Sequence, residues 1–464
     1  MVCRSWRLLR LVAATLICIA VSSHAGAQGD LLPARIAFVH VNVVPMDRER
    51  VLADQTVLVE GDRIAALGKD VPIPADAKII DGERSAYLSP GLADMHVHSD
   101  TRNDLAIYLA NGVTTVLTMG GSRNSFVDLT VPAANAGTIP GPHVYTSFIV
   151  DGTPEYGDFL IKTPAEARAV VGLARTNGYD FIKVYNNLAP DVFEALADEG
   201  RRQHMPVVGH GITQLGLERQ LAAGQVLVAH TEEFFYTFFS KPGSVQTDTP
   251  PDVRRIPEAI ALIKRYNAAV TADPATYGAI VRQIGSRDVV DAFLATPDIR
   301  YLSPNDRLRW RLDTYVEKTA KLAPKYEFLR IFLKAMADAG VQLLAGTDAP
   351  AVPGMFPGLS LHQDLAELEG AGLTRFQALA TATRMPGEFI ARTRQGDSFG
   401  TVSVGSRADL ILSTGNPLGN LATLRTPIGV MAHGQWRDAA ELRTLKDAVD
   451  AQYRIATQPP GPVP

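Results

Sequence analysis

The chain has 464 residues and a formal net charge of −4, and hydrophobic residues make up 46% of it. This length is sufficient for one large enzyme domain and a smaller one. The sequence has no basic patch that would attract phosphate backbones, which excludes nucleic acid as an expected partner. We therefore expect a globular protein whose partner is a small molecule.

The first 27 residues have the pattern of a secretory signal peptide. Arg4, Arg7 and Arg10 precede an apolar stretch from Leu11 to Val21, and small residues ending at Ala27 form a cleavage pattern. The apolar stretch is shorter than the roughly 20 residues that a membrane-spanning helix needs. We therefore predict a secreted or periplasmic protein with signal peptide 1–27 and no stable membrane anchor.

Cleavage after Ala27 would leave a chain without thiols. Both cysteines, Cys3 and Cys18, lie within the predicted signal peptide. Disulfide bonds and thiolate metal ligands are then excluded from the mature protein. The same cleavage removes three arginines and no acids, so the formal charge changes from −4 to −7.

Short alternating strands are predicted between Ile36 and Ile80, with a Gly61-Asp62 pair that favours a tight hairpin turn. The same alternation returns near residues 410 and 430. We expect residues 28–90 and 397–464 to form one small β-sandwich domain built from both chain ends. The Pro-rich end of the chain is predicted to fray.

Residues 91–396 alternate apolar strand-like runs with amphipathic helical runs, which is typical of a parallel sheet with helices between its strands. Eight strands are predicted, ending near His98, Met119, Ile149, Tyr185, His210, His230, Ala272 and Asp348. Eight such units favour an α/β fold of the (β/α)8 TIM barrel type, with an open doubly wound sheet as the alternative. The two long connections, 231–266 and 276–340, are expected to form lids or binding walls.

Polar residues stand at the ends of these predicted strands. His96 and His98 are two residues apart, so a strand directs both imidazoles to the same face. Two converging imidazoles suit a zinc-like metal. Single candidates also follow later apolar runs, namely Lys183, His210, His230 and Asp348. Because catalytic groups in a barrel come from the C-terminal ends of its strands, we expect all six to meet at one rim.

Several motifs together resemble the amidohydrolase superfamily, in its peptidase-like and imidazolonepropionase-like branch. They are Pro90-Gly-Leu-Ala-Asp-Met-His-Val-His, Asn111-Gly-Val-Thr-Thr-Val, Phe181-Ile-Lys-Val-Tyr, Ala345-Gly-Thr-Asp, the two later histidines and Gly400-Thr-Val-Ser-Val-Gly-Ser-Arg-Ala-Asp-Leu. The resemblance covers nearly everything after the predicted signal peptide. It implies a metal-dependent amidohydrolase barrel over residues 91–396.

The resemblance also implies a site for two divalent metal ions. It places His96, His98 and Asp348 on one ion and His210 and His230 on the other. Lys183, carboxylated by carbon dioxide, would bridge the two. The nitrogen-rich ligands favour zinc, while manganese, cobalt or iron fit the same groups. The alternatives are an ordinary snorkelling lysine for Lys183 and a turn aspartate for Asp348.

By the same resemblance, Asp348 takes the proton of a metal-bridging hydroxide and returns it to the leaving nitrogen, first as general base and then as general acid. His143, Tyr185 and Tyr236 are candidate substrate contacts. The alternatives for these three residues are a structural histidine, core packing and the buried face of a lid. The remaining histidines singled out, His40, His204, His362 and His433, are interpreted as structural or exposed.

These observations predict an exported metal-dependent hydrolase that cleaves an amide or peptide C–N bond of a small substrate, such as a dipeptide or an N-acyl amino acid. A cyclic amide, lactone or phosphotriester hydrolase with the same site is the alternative reaction. A non-catalytic ligand-binding barrel is an alternative of a different class. The sequence leaves the oligomeric state open, with a homo-oligomer among the possibilities.

Overall fold

The computed structural model describes residues 35–155, 159–394 and 398–457. The predicted signal peptide, with its apolar stretch, lies outside the described residues. Within these ranges, no helix is both long enough and apolar enough to cross a bilayer.

The described strands fall into two sheets. In chain order they are β1 Arg35–Val43, β2 Leu52–Glu60, β3 Arg63–Gly68, β4 Lys78–Asp81, β5 Tyr87–Pro90, β6 Leu92–Val97, β7 Val113–Thr118, β8 His143–Val150, β9 Phe181–Val184, β10 Val207–Gly209, β11 Gln225–Val228, β12 Ala269–Thr271, β13 Gln342–Leu344, β14 Leu410–Ser413, β15 Gly429–Ala432 and β16 Gln435–Asp438.

Helices fill most of the connections between the strands. They are α1 Arg102–Ala110, α2 Val131–Asn135, α3 Pro164–Thr176, α4 Pro190–Arg202, α5 Leu217–Ala223, α6 Glu233–Thr237, α7 Ile256–Arg265, α8 Pro274–Gln283, α9 Arg287–Leu294, α10 Pro304–Arg311, α11 Ala323–Asp338, α12 Leu359–Gly370, α13 Arg375–Thr381, α14 Arg384–Arg394 and α15 Ala439–Thr457. Helix α3 begins with a capping box formed by Thr163 and Glu166.

Strands β6 to β13 form a nearly closed parallel barrel in sequential order. The gap between β13 and β6 is bridged by backbone bonds: the Met95 N–H donates to the Ala345 carbonyl at 2.8 Å, and Val97 pairs with Ala349. This closure confirms the predicted (β/α)8 barrel and excludes the open doubly wound sheet. Seven of the eight strands end within two residues of their predicted ends, but β13 ends at Leu344 and not at Asp348.

Apolar side chains fill the barrel interior below its C-terminal rim. Met95, Phe181 and Leu227 point inward, and Phe389 from α14 packs there with its ring 6.0 Å from that of Phe181. Because the core occupies this part of the interior, polar groups are left to the C-terminal ends of the strands.

Both chain ends contribute to the second sheet, as predicted. Its strand order is β16-β15-β14-β5-β1-β2-β3, with β4 paired to β1, and most neighbours are antiparallel. The junction is the pairing of β14 with β5, where Leu410 lies opposite Pro90. The predicted hairpin is also confirmed, since Glu60 pairs with Arg63 across the Gly61-Asp62 turn. This separate sheet is consistent with the small sandwich domain predicted from both chain ends.

Candidate active site

Four of the predicted residues form one contact group at the C-terminal rim. His96 Nε2 lies 3.3 Å from Lys183 Nζ and 3.4 Å from Asp348 Oδ1. His98 Nε2 lies 2.9 Å from the same Asp348 oxygen. These side chains come from β6, β9 and the segment after β13, so the barrel brings together residues that are far apart in the chain.

The two later histidines complete the group. The His230 ring stacks on His96 with a centroid distance of 4.2 Å, and its centroid lies 4.8 Å from that of His210. His210 directly follows β10, and His230 lies two residues after β11. The structure therefore brings all six predicted metal-binding candidates into one cluster.

Close backbone contacts fix the position of Asp348. Its N–H donates to the His96 carbonyl oxygen at 2.7 Å. A side chain at Gly346 would prevent this approach, because a Cβ there would lie 2.8 Å from the Cβ of His96. The neighbouring Thr347 hydroxyl donates to Asp94 at 2.6 Å, and burial raises the pKa of the Asp94 carboxyl to about 8.

Two buried carboxylates orient the later histidines. Glu233 Oε1 lies 2.7 Å from His210 Nδ1, and Asp273 Oδ2 lies 2.5 Å from His230 Nδ1. A carboxylate at Nδ1 holds the proton on that nitrogen and leaves the Nε2 lone pair for another partner. Although burial opposes it, the Asp273 charge raises the pKa of His230 to about 10, so near neutral pH a metal ion would have to displace a proton from Nε2.

Glu233 and Asp273 are site residues that were not predicted from the sequence. Glu233 lies three residues after His230 but contacts His210, and it also accepts the Gly211 N–H at 2.9 Å. Asp273 follows β12, the one strand between β9 and β13 to which no site residue had been assigned. For Asp273 the available signal was a carboxylate just beyond a barrel strand. Burial raises the pKa of the Glu233 carboxyl to about 7.

Three site residues have left-handed backbone conformations, which side chains other than glycine rarely adopt. The φ angles are 71° at His230, 34° at Asp273 and 55° at Asp348. They lie two to four residues beyond the ends of β11, β12 and β13. Such conformations persist where the surrounding structure holds them, and they cluster at functional sites.

The donor set fits divalent metal ions. Two groups have ligand atoms close enough to share one ion: His96, His98 and Asp348, which is a predicted set, and His96, His230 and Asp273, which shares only His230 with the predicted pair His210 and His230. Among the described residues, His96 Nδ1 and Asp273 Oδ1 are buried without a hydrogen-bond partner. Imidazole and carboxylate donors of this kind suit zinc and similar ions, and buried polar atoms without partners are otherwise costly.

Lys183 lies at the centre of the cluster with no exposed surface. Burial lowers the pKa of its ammonium to about 8. Burial and the nearby Lys183 charge also hold the pKa values of His96 and His210 well below their usual range. The cluster opens to solvent on the other side, where the His98 and Asp348 side chains are 20% and 15% exposed. A substrate would approach from that side.

The candidate substrate contacts differ in their positions. The Tyr185 ring stacks on that of His210 at 3.8 Å, beside the cluster. His143 opens β8, and Ile149, six residues further along, is the β8 partner of Lys183. At about 3.3 Å per residue this separation approaches 20 Å. The structure therefore does not bring His143 to the cluster; it lies at the other end of the strand, with its ring 6.2 Å from that of His433.

Tyr236 lies on the short helix α6, which begins three residues after His230. It is half-buried and lines a cavity together with Glu232, the residue before α6. Burial raises the pKa of the Glu232 carboxyl to about 8. The interpretation of the other histidines agrees with the structure for His362, which is buried, and His204, which is exposed.

Comparison with known proteins identifies the family. The model of the amidohydrolase family matches residues 87–437, which is well over half of the chain. The chain belongs to the amidohydrolase family. Membership confirms the resemblance expected from the motifs and the prediction of a hydrolase.

The individual proteins compared next are distant relatives, with 18–30% sequence identity to this chain. The chain is 30% identical to a dihydroorotase from Geotalea daltonii over 186 residues, which is 39% of this chain and 39% of that relative. Among solved structures, a bottromycin amidohydrolase superposes with a TM-score of 0.67 at 24% identity and covers 91% of each chain. A Xaa-Pro dipeptidase superposes with a TM-score of 0.64 at 18% identity, covering 87% of this chain and all of the other. These likenesses show the fold.

Proposed function

We propose that this family member is an exported, metal-dependent hydrolase that cleaves the C–N bond of a small amide, with a dipeptide or an N-acyl amino acid as substrate. One observation carries the proposal: the two predicted metal-ligand sets and Lys183 converge at the C-terminal rim of the barrel. Export rests on the N-terminal sequence pattern alone. The dipeptidase fold neighbour and the apolar wall beside the cluster support an amino-acid-derived substrate.

In this proposal His96, His98 and Asp348 would hold one divalent ion, and His210 and His230 would hold a second. Lys183, once carboxylated, would also be a metal ligand, since an ammonium has no lone pair to offer a cation. Its Nζ is 3.3 Å from His96 Nε2 and is shielded from solvent. When bound, divalent ions lower the pKa of water toward neutrality and polarise the scissile carbonyl. Zinc suits the donor set, and manganese, cobalt or iron remain alternatives.

The protein's own groups supply orientation and proton transfer. Glu233 and Asp273 hold the Nδ1 protons of their histidines, which directs both Nε2 atoms into the cluster. Asp348 is the partly exposed carboxylate among the six. We assign to it the transfer of a proton from the attacking water to the leaving nitrogen, because an amine is a poor leaving group without that proton.

The proposal is tested by turnover and metal content together. Purified protein is assayed with dipeptides, N-acyl amino acids, lactones and phosphotriesters, and its metals are measured without added salts. We expect amide hydrolysis and up to two equivalents of divalent metal. Preferential lactone or phosphotriester hydrolysis would instead favour the alternative reaction, and metal binding without any turnover would favour a non-catalytic barrel.

Asp348→Asn is the variant that separates catalysis from metal binding. We expect turnover to fall about 10²- to 10⁴-fold, the usual contribution of a general acid–base group, while metal content stays nearly intact. Asp447→Asn, an exposed carboxylate on α15, is the matched control and is expected to keep full activity. Unchanged turnover in Asp348→Asn would contradict the assigned role.

Export is tested separately on the full-length chain. We expect the protein in the secreted or periplasmic fraction, with a mass that corresponds to cleavage after Ala27. Protein that retains Cys3 and Cys18 would contradict this part of the proposal without affecting the proposed reaction.

A further inference from the structure

A cavity lies beside the candidate active site, between α6, α8 and the segment that leads into α11. Its volume is about 360 Å³. Glu232 lines it and stands two residues after His230, in the turn where the Glu233 N–H donates to the His230 carbonyl at 3.3 Å. One end of the cavity therefore adjoins the histidine cluster. A volume in this range accommodates part of a small ligand.

Lys325, in the first turn of α11, contributes a buried positive charge to this cavity. The residue is only 6% exposed and lines the cavity wall. Its Nζ lies 4.9 Å from the centroid of the Phe235 ring. Among the described residues it has neither an ion pair nor a hydrogen bond. The nearby Asp248 lines the same cavity, and its carboxylate accepts the Lys321 backbone N–H at 2.9 Å.

A buried ammonium without an ion-pair partner is unfavourable, since burial removes its hydration, and the Asp248 carboxylate of the same cavity offsets only part of that cost. The aromatic face of Phe235 compensates for part of this cost. An anion entering the cavity would compensate for more of it, through a charge-assisted hydrogen bond. Lys325 therefore favours a ligand that brings its own negative charge.

The rest of the wall indicates what surrounds that charge. The rings of Tyr236, Tyr277 and Tyr315 line the cavity, with apolar atoms from Ile280 and Leu322 between them. Aromatic and aliphatic walls favour an apolar or aromatic side chain. The cavity thus places one buried cation beside tyrosine rings and aliphatic side chains, with the acids Glu232 and Asp248 elsewhere on its wall. The cation and the rings together complement an apolar amino acid with a free carboxylate.

We propose that Lys325 binds the free α-carboxylate of the substrate, and that the amine half of the substrate is an apolar or aromatic amino acid seated among the three tyrosines. The inference rests on the proposed function, since it places this residue on the leaving side of the amide cleaved at the cluster. The long 276–340 connection, which supplies Lys325, would then determine the preference for substrates with a free carboxylate. Amides without this acid, and simple lactones, are expected to bind weakly.

The test compares two probes that differ only in the charge of that group: N-acetyl-L-phenylalanine and N-acetyl-L-phenylalaninamide. Binding is measured by calorimetry and hydrolysis of the acetyl amide by product analysis. We expect the wild-type protein to prefer the free acid by about tenfold or more, as for a hydrogen bond to a charged group. Lys325→Met should lose this preference, while Lys325→Arg should retain much of it.

Lys334→Met, on the same helix but outside the cavity lining, is the matched control and should behave as wild type. Wild-type protein that binds both probes equally, or neither, overturns the carboxylate subsite, and so does an unchanged preference in Lys325→Met. A preference in binding without hydrolysis of any amide leaves the subsite in place and rejects the proposed function. Amide hydrolysis without a charge preference rejects the subsite and leaves the proposed function in place.

Discussion

Individual side chains outside the predicted ligand set position the site. Asp273 shows this most clearly, because it is fully buried in the cluster and one of its oxygens orients His230 while the other has no hydrogen-bond partner. Glu233 acts in the same way on His210. Partners of this kind fix the ring orientation and the protonated nitrogen of a metal-binding histidine.

Asp273→Asn tests this role. We expect metal affinity to fall about 10- to 100-fold, the usual cost of removing a group that orients a ligand. The reason is that an amide loses the charge that stabilises the His230 Nδ1 proton. Zinc titration of metal-free protein gives the affinity. Asp252→Asn, an exposed carboxylate after α6, is the control, and equal affinities in the two variants would contradict the assignment.

The same residues show what the sequence does and does not predict about the site. His96 and His98 were recognisable because their two-residue spacing on a strand has a direct chemical meaning. Asp273 and Lys325 were not recognised, since Asp273 offers only its place just beyond a strand and nothing adjacent to Lys325 marks it. Their roles depend on contacts with segments about 40 or more residues away, which only the closed barrel brings together.

At the scale of elements, the barrel strands were predictable because each is a short apolar run followed by a helix. The end of β13 was not, because Ala345 and Gly346 extend the apolar run beyond Leu344, while the backbone leaves the ladder and the Thr347 and Asp348 N–H groups donate to the His96 carbonyl. His143 was misplaced for a related reason: it begins a strand, and the end of that strand, not its beginning, faces the site. A residue's position along its strand therefore matters as much as its type.

Helix packing also creates a pH-sensitive contact. His362 on α12 is buried, and its Nε2 lies 2.8 Å from the carbonyl oxygen of Asn111, at the end of α1. Burial lowers the pKa of His362 to about 4 from an ordinary value of 6.5. The unfolded chain therefore takes up a proton at a higher pH than the folded protein does. As far as His362 is concerned, the free energy of unfolding is therefore highest above about pH 6.5, and it decreases as the pH falls toward 4.

His362→Gln should remove this dependence. A shift of this size corresponds to about 3 kcal/mol, so the variant's free energy of unfolding should depend less on pH between 7.5 and 4.5 by up to that amount. Denaturant unfolding at both pH values measures it. His204→Asn is the control, because His204 is exposed and asparagine tolerates its left-handed backbone. A pH dependence in His362→Gln identical to wild type would contradict the argument.

For the whole molecule, the two sheets are joined by buried polar contacts. Arg407 is 3% exposed; its Nε donates to Asp409 at 2.5 Å, and its Nη2 donates to the Thr115 hydroxyl of barrel strand β7 at 2.6 Å. The Gly91 N–H donates to the Asp409 carbonyl at 2.8 Å. The separate sheet was predictable from strand patterns at both chain ends, whereas this connection was not. The domain boundaries at residues 90 and 396 stay predictions.

Arg407→Met should lower the free energy of unfolding by about 3–5 kcal/mol, because it leaves the Asp409 carboxylate buried without its guanidinium partner. The double variant Arg407→Met with Asp409→Asn should recover part of that loss. Chemical denaturation of each protein measures both effects. Arg84→Met breaks an exposed pair with Asp54 and should cost about 1 kcal/mol or less. Similar losses in both single variants would contradict the argument.

The pairing of β5 with β14 has a consequence for how the protein is made. Pro90 and Leu410 lie opposite each other although 320 positions separate them in the chain. During translation, one edge of β5 therefore stays unpaired until nearly the whole polypeptide has left the ribosome. Pairing between such distant segments is slow to form. Any truncated product that stops within the barrel keeps this open edge. Incomplete chains are therefore expected to aggregate or to be degraded by proteases.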